Sequence, residues 1–305
     1  MSQSTIIICI IALIVILNIY AGYFFSNVVI FPKTQTYDYT FSRSVENGDF
    51  KEEFYNSLEK EEVYIDSPYG YKLHGIFFPN NGAKKVMIFC HGITWSLNGS
   101  IKYMEIFLKR GFAVLIYDHR NHGLSGGSDT SFGYYEKYDL KACIDWVGKK
   151  FGKGTIIGLH GESMGSGVLL ETIGIDDRIT FAIEDCGYCD LEELFKYRLS
   201  REYHIKYLPI VKLASFATKI RKGWRFSDVS ALKHISKVNI PIMFVHGELD
   251  DYVPTYMSKK MYDMKKGPHD LLYIAPNAAH AQAYLKNMKE YEEKVESFLK
   301  NINVI

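Results

Sequence analysis

The chain has no excess of either charge. Its 305 residues hold 36 Lys and Arg against 35 Asp and Glu, a formal net charge of +1. Nucleic-acid binders usually show a marked basic excess, so this balance argues against that class. Cysteines are few: Cys9, Cys90, Cys143, Cys186 and Cys189 are too scattered for a disulfide framework and say little about redox compartment. No internal repeat and no low-complexity tract is present. With 47% hydrophobic and 23% charged residues, the chain is too apolar to be disordered throughout and long enough for one large or two small domains. Aromatic residues reach 15%, which fits large apolar pockets and a thick core equally well.

Charge is missing altogether from residues 1–30; the first charged side chain is Lys33. The run 6–25 is interrupted only by Asn18. At about 1.5 Å per residue, such a helix spans roughly 30 Å, the thickness of a bilayer core. A cleaved signal peptide would want Lys or Arg ahead of the run and small residues at a cleavage site. Residues 1–5 have neither basic residue, and Ala21-Gly22 matches such a site poorly. The expectation is an uncleaved single-pass anchor over 1–31, with the membrane as its partner and Tyr20, Tyr23, Phe24 and Phe25 as an interfacial belt. Lys33 and Arg43 after the segment favour a cytoplasmic side for the rest of the chain, but large domains cross regardless of local charge, so the side stays open. Removal of 1–30 is expected to leave a soluble, active domain.

Residues 32–60 read as a juxtamembrane connector with one short helix at about 49–60. Two strands at 62–66 and 73–79 flank the turn signal Ser67-Pro68-Tyr69-Gly70 and suggest a hairpin. Short apolar runs follow at 86–90, 113–117, 155–159, 181–184, 242–245 and 271–274, the length of buried parallel strands. Amphipathic stretches such as 101–110 and 138–150 lie between most of them. This alternation predicts an α/β fold over 61–305, a mostly parallel, doubly wound sheet with helices on both faces. Residues 187–237 carry few strand signals and read as a helical cap, ordinary crossover helices being the plainer alternative.

The sharpest motif is Gly161-Glu162-Ser163-Met164-Gly165. A strand runs into it and a helix follows, the setting that lifts a serine clear of a sheet. Serine is a poor nucleophile until a base takes its proton, so a base and an acid are required, and in this fold they follow in the order Ser, Asp or Glu, His. Asp250, in the loop after the run at 242, is the expected acid, with Asp251, Glu248 and, more remotely, Asp185 as alternatives. His280, after the run at 271, is the expected base. A histidine base predicts activity that falls on the acid side as imidazole protonates. The oxyanion needs two N–H donors. Met164, which follows the serine, supplies one; Ile93, in the loop His91-Gly92-Ile93-Thr94-Trp95, is expected to supply the other, with Thr94 as runner-up.

These residues, together with His246-Gly247-x-x-Asp250-x-x-Val253-Pro254 and the run Tyr117-Asp118-His119-Arg120-Asn121-His122-Gly123-Leu124-Ser125, resemble the α/β-hydrolase superfamily over about residues 60–300. Asn121 departs from the glycine usual there. The chain looks most similar to membrane-anchored bacterial serine hydrolases of the Bem46 and serine aminopeptidase-like group, whose pattern includes an N-terminal anchor and a Cys-Gly-Tyr stretch, here Cys186-Gly187-Tyr188. The resemblance implies Ser163 as nucleophile, Asp250 as acid and His280 as base. It implies that Asp118, Arg120 and His122 are scaffold, that the activity is of esterase or lipase type, and that the domain lies outside the cytoplasm.

Other signals are discounted. Cys186-x-x-Cys189 lacks a second ligand pair nearby, so no metal is expected. Gly152-Lys153-Gly154-Thr155 fails the phosphate-loop spacing. Asn98-Gly99-Ser100 is a formal glycosylation site beside the oxyanion loop. The basic residues of 196–225 read as a solvated face or, less simply, a surface for anionic lipid. The expected function is hydrolysis of a small-molecule or lipid carboxylic ester, favouring an apolar acyl group, through an acyl-Ser163 intermediate with no cofactor. A serine peptidase on short peptides, an acyltransferase on the same triad, and a membrane-tethered binding module are the alternatives. Oligomeric state is not legible.

Overall fold

The computed structural model describes residues 2–206 and 209–305. Eight strands form one sheet: β1 (Glu61–Asp66), β2 (Lys72–Phe78), β3 (Lys85–Cys90), β4 (Ala113–Tyr117), β5 (Ile156–Glu162), β6 (Ile179–Asp185), β7 (Ile242–Gly247) and β8 (Leu271–Ala275). Their order is β1-β2-β4-β3-β5-β6-β7-β8. The first two pair antiparallel, β2 runs antiparallel to β4, and all later neighbours are parallel. The expected α/β architecture is therefore the observed one.

Side chains alternate across the pleat, as a strand of period two requires. In β3, Val86, Ile88 and Cys90 join the core on one face, and Met87 and Phe89 the core on the other. The first face is covered by α5 (Glu136–Phe151), α6 (Met164–Thr172) and α9 (Tyr256–Lys265). The second is covered by α4 (Ile101–Leu108) and α11 (Met288–Asn301), with the short α10 (Ala283–Lys286) beside it. Between β6 and β7 the chain runs through α7 (Leu191–Glu202) and α8 (Pro209–Lys222) and then single turns of 3₁₀ helix.

The N-terminal region differs from expectation. In place of one helix at 49–60 there are two, α2 (Tyr37–Glu46) and α3 (Glu52–Ser57). The first escapes a search for apolar periodicity because its inward face is polar. Thr40 and Ser44 are buried, and the Thr40 hydroxyl lies 2.6 Å from that of Ser96. Asn98 donates to Thr40 Oγ1 and to Tyr37 O (3.1 and 3.2 Å). Asn98 is thus fully buried and committed, which removes it as a glycosylation site.

The leading helix, α1 (Gln3–Ile30), is long and apolar enough to cross a membrane. Its first part is largely exposed from Ile6 to Tyr20, though Ile14, Val15 and Ile19 border α8, and its last turns pack more closely. Gly22, Ser26 and Ile30, one stripe at a spacing of four, are buried against the domain. The Ser26 hydroxyl is 2.9 Å from that of Thr218 in α8. Arg221 donates to Ser26 Oγ and Asn27 Oδ1 (3.1 and 2.6 Å), and Thr130 N–H to Ile30 O (2.9 Å). A cut at 31 therefore passes through packed structure, against the expectation that 1–30 is dispensable. Nor do the four aromatics form one belt: Phe25 turns inward against Tyr203, and Tyr23 lies under the Arg221 guanidinium.

Candidate active site

Ser163 sits where β5 turns into α6, in the left-handed region at φ 55° and ψ −115°. An L-residue holds that conformation only when its surroundings impose it. Both motif glycines are required by close approach. A Cβ on Gly161 would lie 2.5 Å from Gly165 O, and one on Gly165 only 2.0 Å from Cys90 O. The turn is thereby pressed against the end of β3, leaving Ser163 at the head of α6 with Met164 as the first helical residue. The Met164 N–H has no acceptor within its helix, as for any first turn, and the helix adds the positive end of its dipole.

The loops after β7 and β8 bring the expected acid and base to this serine. The Ser163 hydroxyl donates to His280 Nε2 at 2.8 Å. His280 Nδ1–H donates to Asp250 Oδ2 at 2.7 Å. The other oxygen, Oδ1, accepts from the Tyr252 and Val253 N–H groups, both at 2.9 Å. Burial alone would raise the Asp250 carboxyl; hydrogen bonds from His246 and His280 outweigh it and hold the group below the usual carboxylate range. The alternative acids are engaged elsewhere. Asp251 is exposed and meets Arg201 of α7 (3.3 Å), and Glu248 accepts from Asn277 N–H (3.1 Å).

The loop after β3, where the second oxyanion donor is expected, is fixed by neutral histidines. His91 donates through Nδ1 to Gly92 O (2.8 Å) and accepts His119 N–H at Nε2 (3.0 Å). His122 donates through Nδ1 to Arg120 O (2.8 Å) and accepts Thr94 N–H at Nε2 (3.2 Å). Burial first, then the facing histidines, pushes His91 well below its ordinary value and His119 down to about 3. Thr94 N–H is thus already taken, whereas Ile93 N–H has no acceptor among the described residues. Asp118 ties the neighbouring loop together, accepting from Leu97 N–H (2.7 Å), Leu124 N–H (3.0 Å) and His74 (2.7 Å).

Two polar clusters beneath Ser163, His280 and Asp250 were not legible as partners from the sequence. Behind Asp250, His246 donates through Nε2 to Val253 O (2.8 Å) and faces Asp250 Oδ2 (3.2 Å), while its Nδ1 lies 2.7 Å from Ser258 Oγ, which donates to Glu184 (3.0 Å). Beside Ser163, Glu162 pairs with buried Lys102 (2.6 Å) and accepts from Tyr103 (2.7 Å), while Tyr291 donates to Asp185 (3.1 Å). Asp185 is fully buried and its Oδ1 has no partner. Burial foremost, then the Glu162 charge, pushes Asp185 up to about 7, and burial pushes Glu184 to about 7 as well. These two carboxyls thus keep protons that the unfolded chain releases from about pH 4 upward, so their contribution to stability is greatest below that pH and is lost as pH climbs towards 7. Asp185→Asn is expected to flatten that fall in a series of Tm measurements against pH. An unchanged slope would mean Asp185 is ionised throughout.

Among the described residues, Cys186, Asp250 and His280 have donor atoms within 4.8 Å of one another. Asp250 and His280 are already bonded to each other and to Ser163, and burial pushes the Cys186 thiol well up, so it stays protonated. This donor set does not suit a cation. Cys189 is likewise a buried free thiol.

Ser163 lies between two cavities. One, about 310 Å³, is walled by apolar side chains including Ile93, Phe132, Leu194, Ile210 and Phe226. The other, about 400 Å³, presents Asp49, Trp95, Lys102, Glu162 and His280. Tyr252 borders both, its ring 4.8 Å from the imidazole of His280 and capped by the Arg198 guanidinium at 3.5 Å.

The fold and this site define a hydrolase class: a profile described as the alpha/beta hydrolase fold matches residues 85–176, and the chain belongs to that family. Among its relatives is the uncharacterized protein YqkD of Bacillus subtilis, 39% identical over 284 residues, with 92% of this chain and 93% of that protein covered. The lysophosphatidylserine lipase ABHD12 of Xenopus tropicalis is 24% identical over 186 residues, 59% of this chain and 46% of that protein. A solved esterase of Pyrococcus furiosus superposes with a TM-score of 0.66 at 27% identity, covering 80% of this chain and 91% of that one.

Proposed function

We propose that the protein is a membrane-anchored serine hydrolase of esterase or lipase type. The observation that carries this reading is the continuous hydrogen-bonded line from Ser163 through His280 to Asp250. Ser163 Oγ attacks the ester carbonyl carbon as its proton passes to His280 Nε2. The oxyanion so formed is held by the N–H groups of Met164 and Ile93. Collapse breaks the bond to the leaving oxygen, which takes the proton from His280 and departs as an alcohol. Water then attacks the acyl-serine by the same proton route and releases the acid. The apolar cavity suits an acyl chain, and the likeness to an esterase and to a lysophospholipid lipase points the same way.

Wild type is expected to be labelled by a fluorescent fluorophosphonate and to cleave a panel of p-nitrophenyl esters with preference for apolar acyl groups. Absence of both labelling and turnover in folded protein would overturn the reading. The peptidase alternative has one feature in its favour, since Asp49 and Glu162 face the polar cavity where a substrate amine would sit. Glu162 is neutralised by Lys102, however, and burial pushes the Asp49 carboxyl up. Turnover of aminoacyl p-nitroanilides faster than of esters would shift the assignment to that alternative.

A further inference from the structure

The apolar cavity beside Ser163 is not built by the α/β domain alone. Phe25, Val28, Val29 and Pro32, at the end of α1, form one of its walls. The adjoining face of those same turns is locked onto α8. Gly22 sits so close that a Cβ there would lie 3.0 Å from Leu213, and Ser26 and Asn27 are held by Thr218 and Arg221. A glycine at such a contact is what lets two helices approach closely. The two helices run side by side in the same direction, and α8 continues along the exposed part of α1. There Ile14, Val15, Asn18 and Ile19 form an apolar groove with Pro209, Lys212, Leu213 and Phe216. Phe216 is 55% exposed and Ile220 71%, with exposed Lys212 one turn before Phe216 and exposed Lys219 between the two.

This combination places the bilayer. The unburied part of α1 ends near Tyr20. The eighteen or so residues from Gln3 to that point are about 27 Å of helix, close to the thickness of a hydrocarbon core. Phe25 then lies only about 8 Å beyond the membrane face. Exposed aromatic and aliphatic side chains interspersed with lysines on α8 are suited to that interfacial layer, apolar stems inward and ammonium groups towards headgroups.

Resting on the serine-hydrolase reading above, we infer that the substrate is an ester lipid resident in the bilayer, whose acyl chain reaches Ser163 laterally along the wall made by α1. The anchor is then part of the acyl subsite as well as a tether. The two unlike cavities divide the substrate: the chain lies in the apolar one and the leaving group in the polar one.

The test uses the full chain in phosphatidylcholine vesicles. A long-chain alkyl fluorophosphonate with a diazirine at the chain end is allowed to react and is then photolysed. The expected result is an adduct on Ser163 whose chain end is crosslinked to the Phe25–Pro32 stretch of α1 or to the cap residues facing it. An adduct on Ser163 with its chain end crosslinked at Trp95 or Leu285, in the polar cavity, would overturn the inference while leaving the hydrolase reading intact. No adduct on Ser163 in wild type would remove the hydrolase reading and this inference with it. Hydrolysis of a long-chain ester should track its mole fraction in the vesicle; dependence on bulk concentration alone would overturn lateral supply. Val29→Trp, which narrows the wall, should lower the ratio of long-chain to butyrate ester hydrolysis at least about tenfold. An unchanged ratio would mean the chain does not pass α1.

Discussion

Ser163→Ala is expected to lower kcat/KM on the best ester by about 10⁴-fold or more, and His280→Ala by a similar factor. The reason is geometric. The serine hydroxyl has a single base within reach, at 2.8 Å, and that base is held from behind by a carboxylate. Without the hydroxyl no acyl-enzyme forms; without the imidazole the hydroxyl stays protonated and the alkoxide leaves unassisted. Because both losses disable the same step, the double variant should be little slower than either single one. The residual rate would come from the oxyanion donors and from binding. Losses that multiply would show that the two residues act in separate steps, and a loss below about a hundredfold for Ser163→Ala would exclude it as the nucleophile. Fold integrity is checked by Tm, which should move little, since among the described residues the Ser163 hydroxyl bonds only His280.

Most of the architecture was open to sequence reasoning because its signals are local. Buried strands are short apolar runs, and the turn that carries the proposed nucleophile is a five-residue pattern flanked by a strand and a helix. The candidate acid and base stand out by their position after β7 and β8, at neighbouring strand ends of a parallel sheet. What was not legible depends on contacts between distant segments. The helix α2 buries Thr40 and Ser44 rather than an apolar stripe, so its pattern reads as a linker. The pairing of Lys102 with Glu162, and of His246 with Ser258 and Glu184, joins residues whose types are ordinary and whose neighbourhood only the fold creates. The largest difference concerns α1. Its hydropathy announces a membrane span so strongly that the polar half-turn at Ser26 and Asn27 reads as incidental, though those two residues bind Arg221 and fasten the helix to α8. Hydropathy reports what surrounds most of a helix, not what its last turns touch.

Asp250→Asn should cost about 10⁴-fold in kcat with little change in KM, and should lower Tm, since the buried carboxylate loses the hydrogen bonds from His246 and His280 that stabilise it in the native state. An amide has one acceptor oxygen where the carboxylate has two. The backbone N–H groups of Tyr252 and Val253 both point at Oδ1, so the amide oxygen belongs there. Its NH₂ then occupies the place of Oδ2 and confronts the Nδ1–H of His280. Two donors cannot share that contact. The imidazole therefore moves its proton to Nε2, the nitrogen facing Ser163, and can no longer accept the hydroxyl proton. The site keeps its shape and loses its base. The same geometry separates the candidates for the acid. Asp251→Asn disturbs only an exposed pair with Arg201, and surface pairs of this kind contribute little, so activity should stay within about twofold of wild type. Because hydrogen bonds from His246 and His280 keep the Asp250 carboxyl ionised below the usual carboxylate range, its protonation does not produce the acid limb of the rate profile. A loss below about tenfold in Asp250→Asn would mean that His280 does not depend on this carboxylate for its tautomer, and the acid would have to be sought among Asp251, Glu248 and Asp185.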